Sequence, residues 1–277
     1  MDTRFGDILR DKPEIVSPIP EWMLPADTVD ALQTSDRPAI VEVAGRDSIA
    51  AAVRAVDELP LDTVLPTIAY TGTEFGDWRI PFEKAEFLKK LLAEKRPGVT
   101  VYGPVVLGAP GLWRALNGRY VSTLSERYGF YSPCFGCHVY FHALRIPLAK
   151  TTRCNIVVAG ERESHDGRVK LNQISAALDA YVDLLARFGV ELMLPLRHVA
   201  SGAEIEELVG GDWEEETGQL GCVLSGNYRD TSGGVSYVED AVRRFLDEFA
   251  VPVAERFLTA YLAGETPDYS KLAEGIL

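Results

Sequence analysis

Short runs of apolar residues alternate along this chain with stretches whose apolar positions recur every three or four residues, the mark of strands alternating with amphipathic helices. Ala39–Val43 reads as a buried strand. The helix after it carries Ile49, Ala52, Val53, Val56 and Leu59 on one face and stops at Pro60. Val64–Tyr70 is a second strand, in which Pro66 predicts an irregular start. Pro81 opens a helix with Phe82, Ala85, Leu88 and Leu91 on one side, closed by Pro97-Gly98, and Val99–Tyr102 is a third strand. Periodicity is then lost over 103–133, which reads as a long excursion with one helix around Leu112–Leu116. Asn155–Ala159 and Val190–Leu194 are the fourth and fifth strands. Between them Leu171, Ile174, Leu178, Tyr181, Leu185 and Phe188 define a helix that Gly189 ends. A short acidic helix over Ala203–Val209, irregular chain over 210–235, and a helical stretch Val238–Leu262 broken by Pro252 complete the pattern.

This order predicts an α/β fold: a doubly wound, mostly parallel, Rossmann-like sheet with helices on both faces. Residues 38–235 form its α/β domain and 236–277 a C-terminal helical segment. Residues 1–37 read as an irregular extension, with a helical turn near Ala26–Gln33 capped by Asp27 or Thr28 and Trp22-Met23-Leu24 docking on the body. Ligands of such sheets sit beyond the carboxyl ends of the strands, so the turns after strands are the places to look for chemistry.

Charge narrows the partners. The 277 residues carry a net −13. A polyanion such as tRNA calls for a basic surface, so this balance favours a small-molecule substrate. No run approaches a membrane span, and the opening MDTRFGDILRDKPE lacks the apolar core of a secretory signal, so a cytoplasmic protein without membrane partner is expected. A homodimer is left open.

The first of those turns is Ala44-Gly45-Arg46-Asp47-Ser48. Gly45 lets the backbone approach a phosphate, the following helix start offers amides and the positive end of its dipole, Arg46 adds charge and Ser48 a hydroxyl. The plain alternative is a strand-to-helix turn capped by Asp47 or Ser48. The turn resembles the Ser-Gly-Gly-x-Asp-Ser loop of the PP-loop ATP pyrophosphatases, the adenine nucleotide α-hydrolase-like proteins. Asp47-Ser48 match, Gly45 takes the place of the first glycine, and Ala44 and Arg46 depart from the pattern. NIVVAGERESHD at Asn155–Asp166 resembles that family's strand ending in Gly-Glu with an acidic residue after it, and Leu194-Pro195-Leu196-Arg197 before Glu204-Ile205 resembles its later strand end.

The resemblance implies a PP-loop fold that binds ATP, adenylates a substrate and releases pyrophosphate. It implies that Ala44, Gly45, Arg46 and Ser48 hold the phosphates and that Asp47 is catalytic. Asp166, then Glu161 beside Gly160, would hold Mg²⁺ against them, and Lys170 would steady the adenylated intermediate. Tyr70, in the turn Tyr70-Thr71-Gly72-Thr73-Glu74, is expected near the adenine or ribose from the fold.

Cys134-Phe135-Gly136-Cys137 can bring two thiolates to one metal or cluster, and Cys222 lies in a second glycine-bearing loop. Together they resemble the tRNA-thiolating branch of the PP-loop family, which implies a 4Fe–4S cluster held by Cys134, Cys137 and Cys222, a sulfur donor, and sulfurtransferase activity. Two rivals stay open: zinc held by these cysteines with His138 or His142, and redox thiols. Cys154, next to a buried strand, reads as core. His138 and His142 can share a helix face with Arg145. At the level of function the alternatives are a zinc-containing ATP-dependent ligase, as in the deazaguanine branch, and a nucleotide-binding protein without catalysis.

Overall fold

The structure, a computed structural model, describes residues 2–210 and 219–277. Two helices, α1 (Thr3–Asp11) and α2 (Ala26–Thr34), precede the sheet. Then come β1 (Pro38–Glu42), α3 (Arg46–Glu58), β2 (Thr63–Ala69), β3 (Glu74–Phe75), α4 (Arg79–Lys95), β4 (Thr100–Val101) and β5 (Val105–Leu107). Three helices follow, α5 (Pro110–Asn117), α6 (Val121–Tyr128) and α7 (Pro133–Thr152), and after them β6 (Ile156–Val158). The remainder is α8 (Ser175–Arg187), β7 (Glu191–Met193), α9 (Gly202–Val209), β8 (Gly221–Cys222), α10 (Glu239–Phe245) and α11 (Val251–Leu262).

The main sheet has the order β4–β2–β1–β6–β7, with β5 continuing the outer edge of β2, and every pairing in it is parallel. Ala39, Ile40 and Val41 are wholly buried because β1 has a strand on either side and helices over both faces. From β1 the chain winds outward through β2 to β4, then returns to lay β6 against the other side of β1. The order of winding reverses between β1 and β6, and connections that leave in opposite directions open a crevice beyond the carboxyl ends of those two strands.

The alternating strands and helices are where the apolar periodicity puts them, and the doubly wound α/β class holds. Pro66 does not disturb the start of β2. It pairs in register with Val41, and on its other side the partner edge is interrupted: Val64 faces Val101 and Thr67 faces Val105. The amide that proline lacks therefore falls in a gap.

Three expectations change. The extension 1–37 is not irregular throughout, since α1 occupies Thr3–Asp11, and α2 is preceded by Pro25 with no side-chain cap from Asp27 or Thr28. The excursion over 103–133 contains β5 and α6 as well as the helix foreseen in it, which is α5. Pro252 does not break the C-terminal helix. A π-turn, Leu246–Ala250, joins α10 to α11 just before it, which absorbs the missing amide. Met23 and Leu24 are buried, and the Met23 sulfur accepts the Val106 amide at 3.1 Å, so the apolar island docks as expected. Part of the irregular stretch 210–235 lies outside the described residues. No helix among the described residues is long and apolar enough to cross a membrane.

Candidate functional site

A cavity of about 520 Å³ occupies the crevice between β1 and β6. Its floor is the turn Ala44–Ser48, and its walls include Glu42, Gly160, Glu161, Arg162, Lys170 and His138. Gly45 is the N-cap of α3, so the first turn of that helix, whose amides have no intrahelical acceptor, opens on the cavity. Ser48 sits at the third helical position. Its hydroxyl accepts from the amides of Ala44 (3.0 Å) and Gly45 (3.2 Å) and donates to the Gly45 carbonyl (2.8 Å), which ties the turn into a ring.

Gly160 has to be glycine. A Cβ there would lie 2.5 Å from the Ser48 nitrogen, because the end of β6 passes directly against the start of α3. That close approach brings the next residues, Glu161 and Arg162, into the cavity. Arg162 is buried, and its Nε donates to the Asp47 carboxylate at 3.0 Å. Its Nη1 donates to the carbonyls of Ser164 and Ala200, at 3.0 Å each, so Asp47 is held by a fixed cation. Lys170 lines the same wall with no ion-pair partner among the described residues, and burial lowers its pKa. His165 donates through Nε2 to Gln173 Oε1 at 2.7 Å, and burial lowers its pKa to about 4.

On the α7 side, His138 Nδ1 and His142 Nε2 each lie 3.0 Å from the same oxygen, Glu161 Oε1. The histidines are four residues apart, so one face of α7 presents both. Burial by itself would raise the pKa of Glu161. The charge of His142 and the hydrogen bonds from both rings outweigh it and hold the carboxyl well below its usual range.

The thiols gather next to this cavity. Cys134 and Cys137 lie in the first turns of α7, and Cys137 directly precedes His138. Cys222 reaches them from β8, which pairs antiparallel with β3 so that Cys222 faces Glu74. Trp113 Nε1 donates to Cys137 Sγ at 3.1 Å, and the Leu224 amide to Cys222 Sγ at 3.4 Å. Burial, with a smaller contribution from Cys222, pushes Cys134 up to about 11. Burial raises Cys137 as well, with Cys134 and Cys222 adding to it. Cys154 is buried away from solvent, as core.

Of the residues singled out in the sequence, Ala44, Gly45, Arg46, Asp47, Ser48, Gly160, Glu161 and Lys170 line one cavity, and Cys134, Cys137 and Cys222 gather beside it. Two go elsewhere. Asp166 is exposed, and its Oδ1 accepts the Gly202 amide at 2.8 Å, capping α9 instead of facing the cavity. Tyr70 is buried with its hydroxyl on the Pro13 carbonyl, and the turn after it lies against the thiols, with Thr73 Oγ1 3.3 Å from Cys222 Sγ. The histidines do not join the cysteines. Glu161 and Asn172 engage the two nitrogens of His138, the second contact being 2.6 Å from Nε2, and His142 turns to Glu161. Arg145, instead of sharing their face, is buried on Thr67 Oγ1 at 3.0 Å. Sequence reasoning passed over Arg162, Glu42, Gln173 and Gln219. Arg162 alone had a signal, standing next to Glu161 in the strand-end loop.

No protein-family model matches the chain. The uncharacterized protein MJ0009 of Methanocaldococcus jannaschii is 40% identical to it over 220 residues, 79% of each chain. The chain belongs to the same family as that archaeal protein.

Proposed function

We propose that this protein activates a substrate with ATP by adenylation and passes sulfur to it beside the nucleotide, as an ATP-dependent sulfurtransferase of the PP-loop type. The observation that carries the reading is the meeting of two kinds of chemistry at one end of the sheet. A helix start with Arg46 and Lys170 around it lies at the reversal of winding, and Cys137, with Cys134 one turn before it, directly precedes the cavity-lining His138 on α7.

The phosphates of ATP fit over the Gly45 turn, where the α3 amides and dipole favour negative charge. Lys170 is placed to take the charge that builds on the α-phosphate as pyrophosphate leaves. With Asp166 turned to α9, Asp47 is the carboxylate beside the turn that suits Mg²⁺ arriving with the nucleotide. The donor chemistry supports a cluster: Cys134 and Cys137 share the first turns of α7, Cys222 comes from β8, and N–H groups of Trp113 and Leu224 point at two of the sulfurs. A cluster held there would supply sulfur as the nucleophile. The three sulfurs do not all lie within 4.8 Å of one another, too far apart for one zinc ion, and the histidines that would complete a zinc site are committed to Glu161. The acidic surface favours a small-molecule acceptor over tRNA.

The test is anaerobic reconstitution followed by iron, sulfide and pyrophosphate measurements. Wild-type protein is expected to take up iron and sulfide, and Cys222→Ala to lose them. Lys170→Ala should keep the iron but lose about a hundredfold or more in pyrophosphate release. A colourless protein with zinc in place of iron would leave ATP-dependent ligation as the reading. Absence of pyrophosphate release with every acceptor tried sinks the enzyme reading altogether.

A further inference from the structure

Glu161, His138 and His142 are arranged as a small cage that the sulfur chemistry does not use. His138 Nδ1, His142 Nε2 and a Glu161 oxygen all lie within 4.8 Å of one another. Glu161 and His142 are buried, and His138 is mostly so. Two donors converge on Oε1 while Oε2 of the same buried carboxylate has no hydrogen-bond partner among the described residues. Leaving an acceptor of a buried, charged group unmet is destabilising, so the bare cluster is a costly way to fill this space.

We propose that His138, His142 and Glu161 bind a first-row divalent transition-metal ion, of the zinc or ferrous-iron class, with an open coordination position facing the cavity. Imidazole nitrogens and one carboxylate form a donor set for such ions and a poor one for Mg²⁺ or Ca²⁺. Bond lengths of about 2.0–2.1 Å put neighbouring ligand atoms of a tetrahedral ion about 3.4 Å apart, so the observed 3.0 Å separations need only a slight spreading to admit one. Bound through both carboxylate oxygens, the ion also satisfies the unmet Oε2 of Glu161, and it balances the carboxylate's charge. Asn172 supplies the outer support. With its amide turned so that Oδ1 faces His138, it accepts Nε2–H at the observed 2.6 Å and leaves Nδ1 bare for the metal. Tyr181 packs against both rings, 5.8 Å from His138 and 5.1 Å from His142 between centroids, which fixes their orientation.

Three protein ligands leave room for a further one. His138 and Glu161 line the cavity along with the Gly45 turn and Lys170, so that position is open to water or to a substrate oxygen lying there. The site stands whether or not the cavity takes ATP, because its ligands are distinct from the phosphate turn and from the thiols.

The experiment uses the full chain with Cys134→Ser, Cys137→Ser and Cys222→Ser, so that no thiolate group competes. The chelator-treated protein is titrated with Co²⁺ alone and then with Zn²⁺. One equivalent of Co²⁺ is expected, with the visible bands of nitrogen and oxygen ligation, no thiolate charge-transfer band, and displacement by Zn²⁺. His142→Ala or Glu161→Gln in that background should weaken binding at least tenfold. Unaltered Co²⁺ affinity in those variants, or no binding by the parent, overturns the proposal. If the triple variant does not fold, zinc is counted in the wild-type chain and in Glu161→Gln. Loss of one equivalent supports the site, and equal zinc content refutes it. None of these readouts involves ATP, so the site can fail while the sulfurtransferase reading survives, and the reverse.

Discussion

At Gly160 two elements touch through their backbones. A methyl group there meets the Ser48 nitrogen at 2.5 Å, and that atom belongs to the first turn of α3 and cannot swing aside. Gly160→Ala is therefore expected to cost about 1–3 kcal/mol of stability through overpacking. It should also move Glu161 and Arg162, so thermal melting and nucleotide binding should worsen together. Unchanged melting would contradict the packing. His165 has a different signature. Its pKa in the folded chain is about 4 against an ordinary 6.5, since burial, then the charge of Lys170, oppose its protonation. The unfolded chain takes up the proton near 6.5 and the folded chain only near 4, so the contribution is complete above 6.5 and declines as pH falls between those values. The melting temperature of the wild type should drop more steeply over that interval than that of His165→Gln. Parallel curves would rule the effect out.

Between elements, the loop after β6 carries two acidic residues to different ends. Glu161 follows Gly160 into the cavity, and Asp166 caps α9 through the Gly202 amide. We expect Asp166→Ala to cost about 0.5–1.5 kcal/mol, as loss of one hydrogen bond to the start of α9 does, and to leave the proposed pyrophosphate release intact. A large loss of release with little loss of stability would return Asp166 to the chemistry. The sequence could not separate these roles, because both residues sit in one charged loop and the choice rests on the positive φ of Asp166, 52°, which turns its side chain toward α9. Nor could it foresee that two rings on α7 would meet a carboxylate from β6. The spacing of His138 and His142 announces a shared face, but what lies opposite that face depends on how α7 packs over the sheet. By contrast the strands were legible at Ala39–Val43 and Asn155–Ala159, since an unbroken apolar run needs burial on both faces. The Gly45 turn was legible because it directly follows one of them. Helix α1 was missed for the opposite reason. Its residues, TRFGDILRD, are mostly polar, with Ile8 and Leu9 buried, and its packing is tertiary.

Across the whole molecule, strands contribute only backbone direction and a common end; the reactive groups come from what is hung there. Loops after β1 and β6 make the cavity, and α7 carries both thiols and imidazoles past it. The third sulfur arrives from the far side of the chain through the pairing of β3 with β8. The stretch Gln219–Cys222 has one foot in each place. Gln219 lines the cavity, where its Oε1 would come within 2.6 Å of a methyl on Gly45, and three residues later Cys222 stands beside Thr73. Whatever settles on Gly45 meets the tip of the exposed Gln219 side chain, which can swing aside without moving the backbone. An occupant of the cavity is thus gated at this edge by one movable amide, while Cys222, three residues on, stays anchored to Thr73 and β3.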